Sequence, residues 1–198
     1  MRNEEKIDSF VEKIEPYLIV VIIASFVGIT GGVLGALLIK TIDIFTNIRN
    51  AIPYVILAMP LIGILIVYLN KTFNTNKDGR EIINKAITKE EDIDDYMVPS
   101  MFVTTTLSHL AGAAVGRMEA PIKMGGGIGS YISKFFSLKK KNRATIIASG
   151  VAALFASVFG APFTGTIFAY ELCFSKNQKK PIYILPVLLA AAFSRFIC

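Results

Sequence analysis

Charged residues are scarce in this sequence. They make up 18% of its 198 residues against 53% hydrophobic, and the mean hydropathy is +0.56. So apolar a composition excludes an ordinary soluble domain, while the charge that remains excludes a chain facing lipid throughout. Cysteine is nearly absent: Cys173 and Cys198 lie in or beside apolar segments with no metal-type spacing, so each reads as a small hydrophobe. There is one histidine, His109. With no nucleophile–base pair or metal spacing beside it, an intramembrane enzyme built on His109 and Glu119 is set aside, and no cofactor is expected. The first sixteen residues lack a basic stretch followed directly by a short apolar core, which argues against a cleavable signal. A net charge of +6 would suggest nucleic acid or acidic partners in a soluble protein. Here the basic residues cluster in short loops between apolar runs, where they set topology, and no nucleic-acid partner is expected.

What is present reads as an all-α polytopic membrane protein. Residues 1–16 form a cytoplasmic N-terminal segment with the pattern of a surface helix, and 17–198 form a single transmembrane domain. Pro16 suits the first turn of a helix running from Tyr17 to about Ile48, long enough to cross a hydrocarbon core of roughly 30 Å. Within it Gly28, Gly31, Gly32 and Gly35 predict close helix packing through small-residue faces. A short loop containing Arg49 leads to a second span, Ile52–Leu69, with Pro53 and Pro60. Its polar exit holds the turn signal Asp78–Gly79 and a short amphipathic helix over Glu81–Lys89. The acidic run Glu90, Glu91, Asp92, Asp94, Asp95 does not follow a calcium-loop pattern and reads as a solvated linker.

Met97–Val115 is the next span. Its Thr104, Thr105, Thr106 and Ser108 are expected to bond backbone or neighbouring helices, and His109 either does the same or relays protons. After a break come a short glycine-rich helix, Pro121–Phe136, the basic SLKKKNR, and an apolar run from Ala144. A second break at Phe159–Pro162 precedes another short helix, Pro162–Phe174, a basic loop at 175–180 and a last span, Pro181–Cys198. Short, broken helices of this kind are the transporter pattern, in which half-helix ends meet at a midplane site. The charge bias puts the N-terminus, Lys71, Lys77, Arg80, Lys139–Arg143 and Lys176–Lys180 on the cytoplasmic side of a cell membrane, with a 41–51 loop outside.

The stretch GRMEAPIKMGGGIG, Gly116–Gly129, places Arg117, Glu119 and Lys123 between apolar runs. Charge inside a bilayer is costly and usually faces a cavity or the protein interior, so the break is a candidate functional site. Pro121 fits the first turn of a helix, whose free N–H groups and positive dipole end then point back at residues 117–120. That is an anion site in outline.

These residues carry a resemblance. GRMEAPIKMGGGIG resembles the GREGPxVQxGG signature of the CLC chloride channels and proton-coupled antiporters, and FGAPFTGTIFAYE resembles their FNAPLAGxxFxxE segment. The separation and the intervening ATIIASGVAALFASVFG also fit, from about Tyr17 to Cys198. The Ser-His-Leu-Ala-Gly-Ala lead-in and Lys123–Met124 in place of Gln-Ile look more like the fluoride-exporting branch. The resemblance implies the first inverted-repeat half of the CLC fold and transport of chloride or fluoride. It implies anion binding and gating around Gly116, Arg117, Met118, Glu119, Ala120, Pro121 and Ile122, with a second half-helix site at Gly160, Ala161 and Pro162.

Several positions depart from the family. Its gating glutamate falls at 118, where this chain has Met118, and Glu119 follows where the family has glycine. Either the carboxylate has moved by one position, or the gate is lost and Glu119 only pairs with Arg117 or Lys123. The inner proton-transfer glutamate matches Leu172, with Glu171 just before it, so a proton path would run through Glu119 and Glu171. The family's GSGIP turn has no clear counterpart; the nearest feature is Lys77-Asp78-Gly79-Arg80. The sequence ends where the first half of the family's subunit should. Enclosing a pathway would then take a separately made second half or an antiparallel copy; the alternative is a truncated or non-transporting membrane subunit.

Overall fold

The computed structural model describes residues 2–73, 75, 77–88, 91–113, 118–136, 138, 140–174 and 182–198, without the side chains of 2–16, 53, 55–56 and 140–141. Among the described residues eight α-helices follow one another in this order: α1 Arg2–Ala51, α2 Met59–Thr72, α3 Gly79–Thr88, α4 Met97–Leu110, α5 Glu119–Phe135, α6 Lys140–Phe159, α7 Pro162–Cys173 and α8 Ile184–Ile197. A 3-10 turn, Pro53–Ala58, precedes α2.

The core is built around α6, where Ile146, Ile147, Ala148, Val151, Ala152, Ala153, Leu154 and Ala156 are all fully buried. A helix apolar on every side needs neighbours on every side. It has them in α5, α1, α8 and α7. Small residues let these helices approach closely. A Cβ on Gly28 would stand 2.5 Å from Ala190 O, and one on Gly32 2.8 Å from Ser194 O, so this edge of α1 lies against α8. Gly31 and Gly35 face Ala153 and Ser157 of α6. The expected packing role of these glycines is therefore what the structure shows. Ser194 Oγ also donates to Ala153 O at 2.6 Å, a hydrogen bond between α8 and α6.

The opposite face of α1 exposes Leu18, Ile22, Phe26, Ile29, Val33 and Leu37. An apolar exposed face beside a buried one is the mark of a helix solvated by lipid or by another apolar surface. Tyr17–Ala51 and Asn142–Phe159 are long and apolar enough to cross a membrane. At 1.5 Å per residue the first is about 50 Å long, well beyond a core of roughly 30 Å, so it must tilt or project.

Several sequence boundaries need correction, among them the span expected over Met97–Val115, whose helix ends at Leu110. The break expected at Pro16 is absent, because the helix continues from Arg2 to Ala51. One proline removes one N–H and does not by itself end a helix whose other bonds are kept. Nor is 41–51 a loop; it is the end of α1, with Arg49 in its last turn. The span expected over Ile52–Leu69 is divided between the 3-10 turn after Pro53 and α2, which has Pro60 in its first turn. The three short helices stand near their expected places, at Gly79–Thr88, Glu119–Phe135 and Pro162–Cys173.

Candidate functional site

The site grows from the break between α4 and α5. Helix α4 ends at Leu110, and Gly112, at φ 88°, turns the chain in a conformation that costs glycine little. The Arg49 guanidinium donates to His109 O at 3.1 Å, so a cation from α1 caps the carbonyl end of α4. Along α4 the hydroxyls bond their own helix, Thr104 to Ser100 O, Thr106 to Phe102 O and Ser108 to Thr104 O. His109 Nδ1 lies 2.8 Å from Thr105 O. These are the structural roles expected of such side chains.

Helix α5 begins two residues before the expected Pro121, at Glu119, with Pro121 still in the first turn. Met118 occupies the capping position and supplies no side-chain acceptor, so the first-turn N–H groups lack the usual cap. Met118 is exposed, whereas Ala120, Pro121 and Ile122 are buried. Gly116 and Arg117 lie outside the described residues. Glu119 does not turn back over the N-terminus. Its Oε1 is 2.7 Å from Lys123 Nζ, one turn along the helix. Of the two partners offered for Glu119 by the sequence, Lys123 is the one seen among the described residues.

Lys123 is the residue whose burial the sequence did not disclose. It is 4% exposed, in a helix turn otherwise apolar. Its ammonium also donates to Thr75 O at 2.8 Å, a partner 48 positions away. Thr75 is fixed in turn, its N–H reaching Asn70 O at 3.0 Å and its hydroxyl Asn70 Oδ1 at 2.9 Å. A Cβ on Gly79, the first residue of α3, would stand 2.9 Å from Ile122 Cγ2 and 3.4 Å from Lys123 Cγ. The glycine thus lets the start of α3 press against the lysine stem. Lys77-Asp78-Gly79-Arg80, weighed as the nearest counterpart of the missing turn, accordingly comes to lie beside the first turn of α5 through Gly79. A buried ammonium and two helix starts meet here, all favouring negative charge.

A recess of about 240 Å³ opens on this first turn, lined by Asp43 and Ile39 of α1, Thr105 of α4, Ala120 and Pro121, and Phe159 at the end of α6. Asp43 was not singled out by the sequence, where nothing in its spacing marks it, and Thr105, expected only to bond backbone or a neighbouring helix, lines this recess. The second break has the shape expected. Gly160 has φ 71°, Ala161 is non-helical at φ −125° and ψ 85°, and Pro162 opens α7. Glu171 borders a different recess of about 250 Å³, with Arg80 and Asn84 of α3 and Phe168, Leu172 and Phe174. Neither of these two recesses is lined by both Glu119 and Glu171.

The acidic linker is less free than expected. Asp92 is held by Arg143 at 2.9 Å and by Lys134 at 3.2 Å, which docks the segment on α5 and α6. The hydrogen bond from Arg143 is the main cause holding its carboxyl below the usual carboxylate range; burial opposes it, and the hydrogen bond from Lys134 adds to the lowering.

Comparison with known proteins bears on the same residues. The voltage gated chloride channel family matches residues 81–198, more than half of the chain. A chloride/fluoride channel protein of Pseudomonas syringae pv. tomato is 31% identical over 76% of this chain and 34% of its own length. An H(+)/Cl(-) exchange transporter ClcA of Yersinia pestis is 26% identical over 91% of this chain and 41% of its own. Among solved structures, a CLC-type fluoride/proton antiporter superposes with TM-score 0.79 at 26% identity, over 91% of this chain and 46% of the other. The chain therefore spans less than half the length of the relatives it matches.

Proposed function

This chain belongs to the voltage gated chloride channel family, and from that premise we propose that it supplies one half of a pathway by which chloride or fluoride crosses a cell membrane. The observation that carries the reading is the start of α5. A helix start with no side-chain cap, beside a buried ammonium, favours a small anion. The other half of the pathway comes from a separately made second half or from another copy of the chain. Glu119 is the gating carboxylate, displaced by one position from Met118, because it alone in the first turn carries the charge to compete with an anion for the same N–H groups. Gly160, Ala161 and Pro162 present a second helix start, and Glu171 faces the recess through which a proton would leave. The N-terminus and the Arg143 end of α6 are cytoplasmic, following the positive charges at span ends.

The opposing reading is a membrane subunit that keeps the half-fold without a working gate. It draws on Met118 at the family's gate position and on Glu119 being drawn to Lys123. Anion efflux from liposomes holding the full chain, with and without a second half, separates the two. Glu119→Gln should raise the flux while Met118→Gln leaves it unchanged. Equal insensitivity of both would favour the gateless reading, and proton coupling restored by Met118→Glu would show that the gate had been lost at 118.

A further inference from the structure

We propose that Lys123 is a positioning residue, a fixed latch that draws the Glu119 carboxylate away from the first turn of α5 and so leaves that turn open to an anion. The inference rests on the transport reading and adds a control element to it. The first N–H groups of α5, which no side chain caps, point out of its starting end. The i,i+4 pair pulls the Glu119 side chain the opposite way, toward the second turn. One carboxylate thus has two competing partners, the first-turn N–H groups and the ammonium. The two sides of the pair differ in freedom. The Lys123 side chain is 5% exposed and that of Glu119 45%. Lys123 is pinned by Thr75 O, by the Asn70 bonds that hold Thr75, and by Gly79 against its stem. Glu119 is the partner that moves; Lys123 decides where it rests. A longer side chain at Gly79 would push on Lys123 and Ile122, so the glycine is part of the latch.

The test uses the full chain, with any second half it requires, in liposomes loaded with chloride or fluoride. Wild type, Lys123→Met, Glu119→Gln and the double variant are compared, with Lys123→Arg as the conservative control. Releasing the carboxylate onto the first turn should lower the flux of Lys123→Met about tenfold, a shift a two-state gate shows when one state loses a modest interaction. The double variant should flow like Glu119→Gln, because no carboxylate remains to block, and Lys123→Arg should stay near wild type. A lysine that merely props the fold gives a double variant as inactive as Lys123→Met, and that result overturns the latch, as does a Lys123→Met flux equal to wild type. Lys123→Gln, which keeps a donor for Thr75 O, takes the place of Lys123→Met if the latter does not fold. Should wild type carry neither anion, the transport reading fails by itself, and the latch is judged on melting temperatures of the same four proteins in detergent. Additive effects of the two substitutions there overturn it, and a shared, non-additive loss sustains it.

Discussion

Replacing Gly129 by alanine tests the packing that holds the site. On α5 this glycine faces the backbone of α6, and a Cβ there would stand 2.6 Å from Ile146 O and 2.7 Å from Ile147 Cα. An ordinary C···O approach is about 3.3 Å and a C···C approach about 3.5 Å, so the shortfall is roughly 0.7–0.8 Å. Neither opposing atom belongs to a side chain that can swing aside. The two helices must separate, and overpacking of this kind costs about 1–3 kcal/mol, here at the upper end because backbone meets backbone. Alanine gains about 1 kcal/mol over glycine in a helix interior, which leaves a net loss of about 2 kcal/mol. For a chain of this size the melting temperature should fall by about 4–8 °C. Gly63→Ala is the matched control, since among the described residues no atom outside its own stretch of helix backbone lies within 4 Å of a Cβ there. It keeps the helix gain without the clash, so its melting temperature should rise by about 1–4 °C. Both are read by thermal unfolding in one detergent. A Gly129→Ala protein melting at or above wild type would refute the argument that this seam is set by backbone contact.

Other expectations follow from single contacts. Ser194→Ala removes the hydroxyl donor to Ala153 O, and a hydrogen bond between membrane helices is worth about 0.6 kcal/mol, so thermal unfolding should move by only a degree or two. Asp92→Asn should destabilise the protein at neutral pH by no more than about 1 kcal/mol, because the ion pair is half exposed. Since the folded state depresses the Asp92 carboxyl, its contribution is present above the ordinary carboxylate range and is lost as pH falls through the lowered value; unfolding curves of wild type and variant should converge in acid and stay apart at pH 7. Cys198 is exposed and Cys173 buried, so a maleimide should label one thiol rapidly in the folded protein and the second only on unfolding. A cysteine placed at residue 143 should resist a membrane-impermeant maleimide in intact cells, and labelling from outside would reverse the proposed orientation.

Much of the fold was written in local chemistry. Pro60, Pro121 and Pro162 each stand in the first turn of a helix, where a missing N–H costs nothing, and Gly160 takes a positive φ at the second break. That is why the short helices and the family likeness of Gly116–Gly129 and Phe159–Glu171 could be read from the order of residues alone. The glycines of α1 announced close packing for the same reason, since a missing Cβ is a property of the residue itself. Where local chemistry was permissive the reading went astray. Pro16 is as compatible with the inside of a long helix as with the start of a new one, and only the finished helix from Arg2 to Ala51 decides between them. The site depended most on contacts that no local pattern encodes. Lys123 meets Thr75 O across 48 positions, Arg143 meets Asp92 across 51, and Ser194 meets Ala153 O across 41. The sequence by itself determined the breaks before α5 and α7 and which charges stand near the first of them. Which carboxylate each cation holds, and whether a lysine in an apolar turn is buried or free, is fixed only when distant segments are packed together, because burial and pairing belong to the space between helices rather than to any one of them.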